Sequence, residues 1–379
     1  MKLLLASDSY KGSLTTLQVA EQIKKGVKKV FPDAEFMCVP AADGGEGTVE
    51  AMVSSMGGEY RSVEVTAPNG NRVRAKYGLL PGKNVVLEMA AASGLPLVPR
   101  AERDVMHATT YGTGELIRAA LGEDCKRIYI GIGGSATNDG GLGMAQALGF
   151  SFLDAEGKEV GFGGRELKRV VKIDISNVDA RLKEKEIIVM SDVSNPLCGE
   201  LGASAIYGPQ KGATPEQVKE LDDGLRHFAG VIKEQLNMDL IDMPGAGAAG
   251  GLGAGLVAFT GAKVKSGIEA ILEASNFKEK LKWADLVISG EGKIDRQSAF
   301  GKVISGISKA AKENGVPVIA VSGSIEYGAE IIYEEGVTSM EAAVCKPMPL
   351  EEALRNADIL VENAVERVMR TIKIGQEMS

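Results

Sequence analysis

The sequence has few of the residues on which several common classes of site depend. Its 379 residues include two histidines, four cysteines and one tryptophan. The cysteines are scattered, with no C-x-x-C pair and no histidine cluster near them, which argues against a zinc site. His107 lies in a polar stretch and His227 at the end of an amphipathic helix pattern. The chain therefore offers little to a Ser-His-Asp hydrolase.

Long hydrophobic runs and an excess of positive charge are also missing. The first apolar stretch, residues 3–6, is too short for the hydrophobic region of a signal peptide, and no run reaches the roughly 18 residues of a membrane span. Lys and Arg number 43 and Asp and Glu 51, a net charge of −8, which disfavours binding to nucleic acid or anionic lipid. We therefore expect a cytoplasmic protein with free thiols and neither of these partners, and the oligomeric state stays open.

Glycine, in contrast, is abundant, with 48 residues spread without a collagen period, and we expect these glycines in special loops. Between them lie short, often β-branched runs that predict buried strands of a parallel sheet. The runs are residues 3–6, 36–39, 85–89, 128–132, 187–190, 286–288 and 317–321. Helical patterns separate several of them, for example the one from Leu17 to Val30 that follows a candidate cap at Ser13.

This alternation of strands and helices predicts an α/β protein. The length of 379 residues exceeds the usual size of a single core, which favours two domains. Residues 63–86 instead predict extended segments broken by a turn at residues 67–70, which we interpret as a crossing between domains. No linker separates two autonomous halves. We therefore predict a doubly wound domain over residues 1–62 and 282–379, with a second α/β domain, residues 63–281, inserted into it.

Nearly every predicted strand is followed at once by a polar, glycine-rich segment, most of which carry an acid. In open parallel sheets ligands bind at the carboxyl ends of the strands, so these segments should converge on a crevice. Turns and helix caps would explain any one of them, but they need no such excess of acid. The segments are SDSYKGS (7–13), PAADGGEGT (40–48), GGSATNDGG (133–141), SDVSNP (191–196), GEGKIDRQ (290–297) and SGS (322–324).

The combination of glycine and acid indicates phosphoryl transfer with Mg²⁺. Backbone N–H groups in glycine-rich loops bind phosphate, whereas clustered carboxylates repel it unless a divalent cation lies between them. Lys11 would neutralise a transferring phosphoryl group. Asp192 and one of Asp295 or Glu291 would hold the metal or accept the substrate proton, since each follows a buried strand.

The predicted site residues fall into three groups. The catalytic candidates are Lys11, Asp192 and Asp295, and the metal candidates are Asp192 and Glu291. Within the loop 133–141 we also expect the backbone of Gly140 and Gly141 to approach an anion. The candidates for substrate and phosphate binding are Asp8, Ser13, Asp43, Gly44, Gly45, Glu46, Gly133, Gly134, Ser135, Thr137, Asn138, Asp139, Asn195, Gly290, Glu291, Gly292 and Gln297.

Two other classes of function remain open. No G-x-x-x-x-G-K-[ST] motif occurs, so the chain is not a P-loop nucleoside triphosphatase. The pattern G-x-G-x-x-A at residues 131–136 follows a strand, and with Asp154 downstream it favours an NAD(P)-dependent oxidoreductase of a small hydroxy acid. Against this, Gly140, Gly141 and Gly143 would lie in the first turns of the dinucleotide helix, at about 1 kcal/mol each. The non-enzymatic alternative is a two-lobed small-molecule binding protein.

Eight ordered segments over the whole chain resemble the class I glycerate kinase family. Tyr10 and Tyr207 stand where we expect Phe in that family, and both keep the ring. The segments are SDSYKGSLT (7–15), PAADGGEGT (40–48), TTYGTGELI (109–117), GIGGSATNDGGLG (131–143), SDVSNPLCG (191–199), YGPQKGATP (207–215), GAGAAGGLGAG (245–255) and SGEGKIDRQS (289–298).

The resemblance implies ATP- and Mg²⁺-dependent phosphorylation of D-glycerate in the cytoplasm. It implies a Rossmann- or flavodoxin-like domain that carries an inserted second α/β domain, and 2-phosphoglycerate rather than 3-phosphoglycerate as the product. Closure of a cleft between the two domains would exclude water and favour glycerate over hydrolysis, so we expect the active site there.

Overall fold

The computed structural model describes residues 1–39, 41, 44–45, 47–299 and 303–378. The predicted site residues Asp43 and Glu46 lie outside the described residues. The chain divides into two compact units. Unit 1 comprises Met1–Asp43, Glu50–Gly57 and Ile268–Ser379, and unit 2 comprises Gly44–Val49 and Gly58–Gly267.

The elements alternate along the chain as the hydrophobic pattern predicts. The strands are β1 (Lys2–Ser7), β2 (Glu35–Cys38), β3 (Glu59–Thr66), β4 (Arg72–Leu80), β5 (Asn84–Glu88), β6 (Arg127–Gly131), β7 (Ser151–Leu153), β8 (Lys172–Asp174), β9 (Glu186–Met190), β10 (Lys263–Lys265), β11 (Leu286–Gly290), β12 (Lys293–Ile294), β13 (Val318–Ser322), β14 (Ser324–Ile325) and β15 (Ser339–Ala342). The α-helices are α1 (Thr16–Lys28), α2 (Thr48–Met56), α3 (Ala90–Ser93), α4 (Tyr111–Leu121), α5 (Leu142–Ala147), α6 (Ala203–Tyr207), α7 (Pro215–Leu236), α8 (Leu252–Thr260), α9 (Gly267–Ala274), α10 (Phe277–Leu281), α11 (Val303–Glu313), α12 (Leu350–Arg355) and α13 (Ala357–Met378).

Unit 1 is built on a parallel sheet with the strand order β2-β1-β11-β13-β15. Numbered within the unit, this is the order 2-1-3-4-5 of flavodoxin-like folds, in which ligands bind where the order reverses, between the first and third strands. The reversal lies between β1 and β11. The predicted α/β class and its flavodoxin-like parallel sheet are thus confirmed.

Unit 2 contains a mixed sheet with the order β10-β9-β6-β5-β4-β3. Strands β3, β4 and β5 pair antiparallel, with Thr66 opposite Arg72 across the predicted turn. The pairs β5–β6, β6–β9 and β9–β10 are parallel. The carboxyl ends of β5, β6, β9 and β10 therefore lie at one edge, where the segments 133–141 and 191–196 begin.

The first helix starts later than the sequence predicts. Thr15, not Ser13, is the N-cap of α1: its side chain accepts a hydrogen bond from the Gln18 backbone N–H, and the Gln18 side chain accepts one from the Thr15 N–H in return. The Ser13 hydroxyl donates to the Tyr10 carbonyl at 2.9 Å. The prediction of a cap at Ser13 is wrong because its side chain closes the preceding turn.

The units also differ from the predicted domain boundaries. Helices α9 and α10 pack their apolar residues Ile268, Phe277 and Leu281 in one core cluster with Leu4 and Val287 of unit 1. Residues 268–281 therefore belong to unit 1, whereas the sequence suggested that the inserted domain continues to residue 281. The location of the active site between the domains stays a prediction.

Among the described residues, no helix is both long and apolar enough to cross a bilayer.

Candidate active site

The loops that follow β1 and β11 leave the sheet of unit 1 side by side. Ser7 lies opposite Gly290 in the parallel register, and the Asp8 N–H donates to the Gly290 carbonyl at 2.9 Å. Because this is the point where the strand order reverses, the pairing brings the predicted residues Asp8, Lys11 and Glu291 to the edge at which such sheets bind ligands.

Tyr10 anchors the first of these loops. Its ring is buried, and its hydroxyl donates to the Val321 carbonyl at the end of β13 at 2.6 Å. Burial raises the pKa of Tyr10, and the negative charge of Glu291 raises it further. The phenol therefore stays protonated and serves as a hydrogen-bond donor that positions the loop.

Several glycines of this edge are required by close packing. A β-carbon added to Gly290 would lie 1.9 Å from the Val321 carbonyl oxygen, and one added to Gly323 would lie 2.4 Å from that of Gly292. Gly12 differs, since it has a φ of +82° and no atom within 4 Å of an added β-carbon. Lys11 beside it is exposed, as a residue that meets a ligand would be.

Asp295 has a structural part in the loop that follows β11. Its carboxylate accepts a hydrogen bond from the Gln297 N–H at 2.8 Å and lies 3.2 Å from the Lys293 ammonium group. These contacts hold the turn into the short 3₁₀ helix Arg296–Ala299. A catalytic role for Asp295 stays a prediction, as does ligand contact by the exposed Gln297.

In unit 2, Asp192 follows the end of β9 and is exposed. Its Oδ1 accepts a hydrogen bond at 3.1 Å from the N–H of Gly267, the first residue of α9. The contact fixes the carboxylate at the carboxyl edge of the sheet.

The glycines of the predicted set meet at the same edge of unit 2. A β-carbon added to Gly44 would lie 2.9 Å from the Cβ of Met190, and one added to Gly133 would lie 3.2 Å from the Cα of Gly45. The structure therefore brings Gly44, Gly45 and Gly133 together at the ends of β6 and β9, as the sequence predicts for converging loops.

The expectation that Gly140 and Gly141 approach an anion is wrong. Their N–H groups donate inside the protein, from Gly140 to the Gly250 carbonyl at 3.0 Å and from Gly141 to the Asp139 carboxylate at 3.1 Å. A β-carbon at Gly250 would lie 2.0 Å from the Thr137 carbonyl oxygen. Segments 137–141 and 245–255 thus interlock through their glycines, whereas Gly133 and Gly134 are exposed.

The predicted substrate-binding role of Asp139 also needs correction. Asp139 is fully buried, and its carboxylate accepts hydrogen bonds from the Thr110 N–H and hydroxyl and from the Gly143 N–H. Burial raises its pKa, and these hydrogen bonds oppose the shift. Asp139 therefore organises the loop from within.

Neighbouring polar residues are similarly enclosed. Ser135, Thr137 and Asn138 are buried, and the Asn138 side-chain amide donates to the Ser204 hydroxyl at 3.0 Å. Asn195 donates to the Leu201 carbonyl and accepts from the Tyr207 hydroxyl, both at 2.8 Å. These contacts stabilise the loops, and direct ligand contact by these four residues stays a prediction.

Lys211 is a buried residue of unit 2 that was not predicted from the sequence. Its side chain is buried, and its ammonium group donates to the Thr137 carbonyl at 2.6 Å. Burial lowers the pKa of Lys211 to about 7, and the negative charge of Asp139 opposes the shift. The signal was present in the segment YGPQKGATP, but Lys211 ends a 3₁₀ helix and does not follow a strand.

The family model described as the glycerate kinase family matches residues 3–373. The chain belongs to the glycerate kinase family. It is 49% identical over 376 residues to a glycerate 2-kinase of Escherichia coli K12, with 99% of each chain covered. It is 49% identical over 367 residues to a glycerate kinase of Halalkalibacterium halodurans, with 97% of each covered. The crystal structure of a putative glycerate kinase 2 from Salmonella typhimurium LT2 matches with a TM-score of 0.90 and 48% identity, covering 100% of this chain and 99% of that one.

Membership of the glycerate kinase family confirms the resemblance and rules against the oxidoreductase and binding-protein alternatives. The local structure agrees. The segment 131–136 does not open a helix, because α5 begins at Leu142 after Gly141, which has a φ of +78°. Asp154 accepts backbone hydrogen bonds within its own turn and pairs with Arg169 at 2.9 Å.

Gly134→Ala tests whether a ligand lies against the exposed part of the loop 133–141. Gly134 has a φ of +74°, and an added β-carbon would meet the Ala90 Cβ at an ordinary 3.5 Å. We expect a loss of about 1 kcal/mol in stability and at least tenfold weaker binding of D-glycerate or of a non-hydrolysable ATP analogue, measured by calorimetric titration.

Gly157→Ala is the matched control, because Gly157 has a φ of +76° and open space around it. It should lose similar stability and keep its affinity for both ligands. Unchanged affinities in Gly134→Ala would remove this loop from the binding site.

Lys211→Met should change how stability depends on pH. With a folded-state pKa of about 7 and an unfolded value near 10.4, the unfolded chain alone holds this proton between those pH values, so stability rises with pH there. Below pH about 7 Lys211 is protonated in both the folded and the unfolded chain, so its contribution to the free energy of unfolding does not vary with pH. The difference in unfolding free energy, wild type minus variant, should increase by up to about 1.4 kcal/mol per pH unit above pH 7.5.

Denaturant titrations from pH 6 to 9.5 measure this difference. Lys219→Met, which alters an exposed lysine of α7, is the control for the loss of a surface charge. A flat difference for Lys211→Met would mean that the ammonium group titrates normally.

Proposed function

We propose that the chain catalyses the ATP-dependent phosphorylation of D-glycerate to 2-phosphoglycerate and ADP. The observation that carries the proposal is the pairing of the β1 and β11 loops at the point where the strand order of unit 1 reverses, in a chain of the glycerate kinase family. Phosphoryl transfer depends mainly on positioning and charge stabilisation, and these loops offer both.

In this proposal Lys11 neutralises charge on the transferred phosphoryl group. It is exposed beside Gly12, whose open surroundings leave room for a phosphate to approach the backbone. The Asp8 side chain accepts from the Ser9 N–H at 2.6 Å and shapes the same turn. Asp192 takes the proton of the attacking hydroxyl group, because it is an exposed carboxylate held in place by the Gly267 N–H.

The donor set of the described residues fits Mg²⁺. This ion is usually held by one or two carboxylates and by substrate phosphates, not by a complete protein cage. Among the described residues no three acidic, histidine or cysteine side chains form a preformed metal cluster. Asp192 and Glu291 each stay a candidate carboxylate ligand. When bound, Mg²⁺ would neutralise the negative charge of the ATP phosphates.

The product assignment follows the E. coli relative, which is named a glycerate 2-kinase. Phosphorylation of the 3-hydroxyl is the alternative outcome.

A cytoplasmic location is part of the proposal, because its substrates, ATP and glycerate, are metabolites of that compartment.

A direct assay follows ADP release from ATP and Mg²⁺ with and without D-glycerate. We expect release that depends on D-glycerate and saturates with it. NADH absorbance with NAD⁺ and glycerate should stay flat, whereas an NAD-dependent oxidoreductase would make it rise. ADP release that is unaffected by D-glycerate would contradict the proposed acceptor.

Asp192→Asn should reduce kcat by at least about a hundredfold, since the amide can neither accept the proton nor bind Mg²⁺ well. The amide oxygen can still accept the Gly267 hydrogen bond, so the melting temperature should change little. Steady-state kinetics and thermal melts measure both quantities. Asp223→Asn, at an exposed position of α7, is the control, and near wild-type turnover in Asp192→Asn would remove Asp192 from the mechanism.

Lys11→Met should lower kcat/KM about thirtyfold or more, which corresponds to a loss of about 2 kcal/mol of transition-state stabilisation. The reason is that a charge-assisted hydrogen bond to phosphate or to the glycerate carboxylate is lost. The exposed Lys25 of α1 provides the control variant Lys25→Met, which should keep full activity. If Lys11→Met loses stability and keeps its kinetics, the lysine is structural.

A further inference from the structure

Unit 2 contains a cavity of about 480 Å³ whose lining includes Arg103, Arg165 and Lys211. Its walls come from the β3–β4 turn at Asn69, from residues 98–109, from Ala136 and from residues 162–166. The volume lies in the range of sites for small metabolites. The cavity adjoins the buried part of the loop 133–141 and is not formed by the residues proposed above for catalysis.

Of the three acids in the lining, Asp104 and Glu166 are engaged with neighbouring side chains, and Glu102 is exposed. Asp104 Oδ2 lies 2.6 Å from His107 Nδ1, and His107 Nε2 lies 2.6 Å from an Arg165 guanidinium nitrogen. Glu166 pairs with Arg169 at 2.8 Å. The contacts from Asp104 through His107 to Arg165 therefore hold the Arg165 guanidinium group at the wall of the cavity.

Arg103 carries an unsatisfied donor. One terminal nitrogen donates to the Gln210 carbonyl at 2.9 Å. Its Nε is buried and has no hydrogen-bond partner within the part of the chain that the structure describes. A buried donor of a charged group without an acceptor is costly, and an oxyanion in the cavity would supply that acceptor.

Lys211 brings a buried ammonium group to the same wall as the half-buried Arg103. It is 2% exposed, and its ammonium group, which has three donors, makes a hydrogen bond to the Thr137 carbonyl. A β-carbon at the next residue, Gly212, would lie 3.0 Å from the Arg103 carbonyl oxygen. Arg103 thus contacts the backbone on both sides of Lys211, which places the two cationic residues in one wall.

We propose that this cavity binds a small organic acid whose carboxylate pairs with the Arg103 guanidinium and the Lys211 ammonium groups. Buried cations are stabilised by a paired anion, and a guanidinium group binds a carboxylate through two parallel hydrogen bonds. Phosphate monoesters present the same oxyanion chemistry, so the ligand is either D-glycerate itself or a phosphorylated acid. The proposal stands on the cavity and does not require the proposed phosphorylation.

Calorimetric titration of the full chain, without ATP, tests it with three probes: D-glycerate, 2-phosphoglycerate and inorganic phosphate. We expect at least one organic acid to bind, and Arg103→Met and Lys211→Met each to weaken that binding at least tenfold. The controls Arg100→Met and Lys219→Met alter exposed residues outside the cavity lining and should bind as the wild type does.

Hydrogen exchange of the wild-type chain provides a measurement that does not depend on the folding of any variant. The bound acid should slow exchange in residues 98–109 and 207–212. Binding of D-glycerate would make the cavity an acceptor site, and binding of 2-phosphoglycerate alone would make it a product or effector site; either supports the proposal.

Absence of binding by both acids, or binding without protection of these segments and with wild-type affinity in folded Arg103→Met, would overturn it. A chain that does not phosphorylate glycerate but binds an acid in this Arg103-dependent way would refute the proposed function and leave this inference intact.

Discussion

The parallel pairing of β1 with β11 is the constraint on which the arrangement of unit 1 depends. It joins Leu3–Ser7 to Leu286–Gly290 across most of the length of the chain. Because β2 lies on the other side of β1, the strand order reverses at this pair and leaves the two following loops adjacent. The positions of Lys11 and Glu291 therefore result from backbone pairing between the first and last parts of the sequence.

Glycine has two distinct functions in the loops. Gly250, Gly290 and Gly323 are close to carbonyl oxygen atoms that would collide with any β-carbon, so they allow segments to pack. Gly12 and Gly134 have positive φ angles and little around them, so their conformation is available for ligand contact. Both kinds are simply glycine in the sequence, and only the contacts in the folded structure distinguish them.

The strands and the family could be predicted from the sequence because buried parallel strands appear as short apolar runs and the loop motifs are ordered along the chain. The edge strands β10 and β15 were missed, since they are short and carry polar residues. Asp139 was misjudged because loop composition does not reveal burial, and its carboxylate faces N–H donors inside the protein. Lys211 was not predicted because it does not follow a strand, as the other candidates do, but ends a short 3₁₀ helix.

The proton-coupled ³¹P spectrum of the product formed from ATP, Mg²⁺ and D-glycerate tests the proposed reaction most directly. A phosphate ester at the 2-position is next to a single carbon-bound proton and gives a doublet, whereas an ester at the 3-position is next to a methylene group and gives a triplet. We expect a new doublet that appears as ADP accumulates. A triplet would contradict the assigned product, and the absence of any new phosphate ester would contradict the assignment of this chain as a kinase of glycerate.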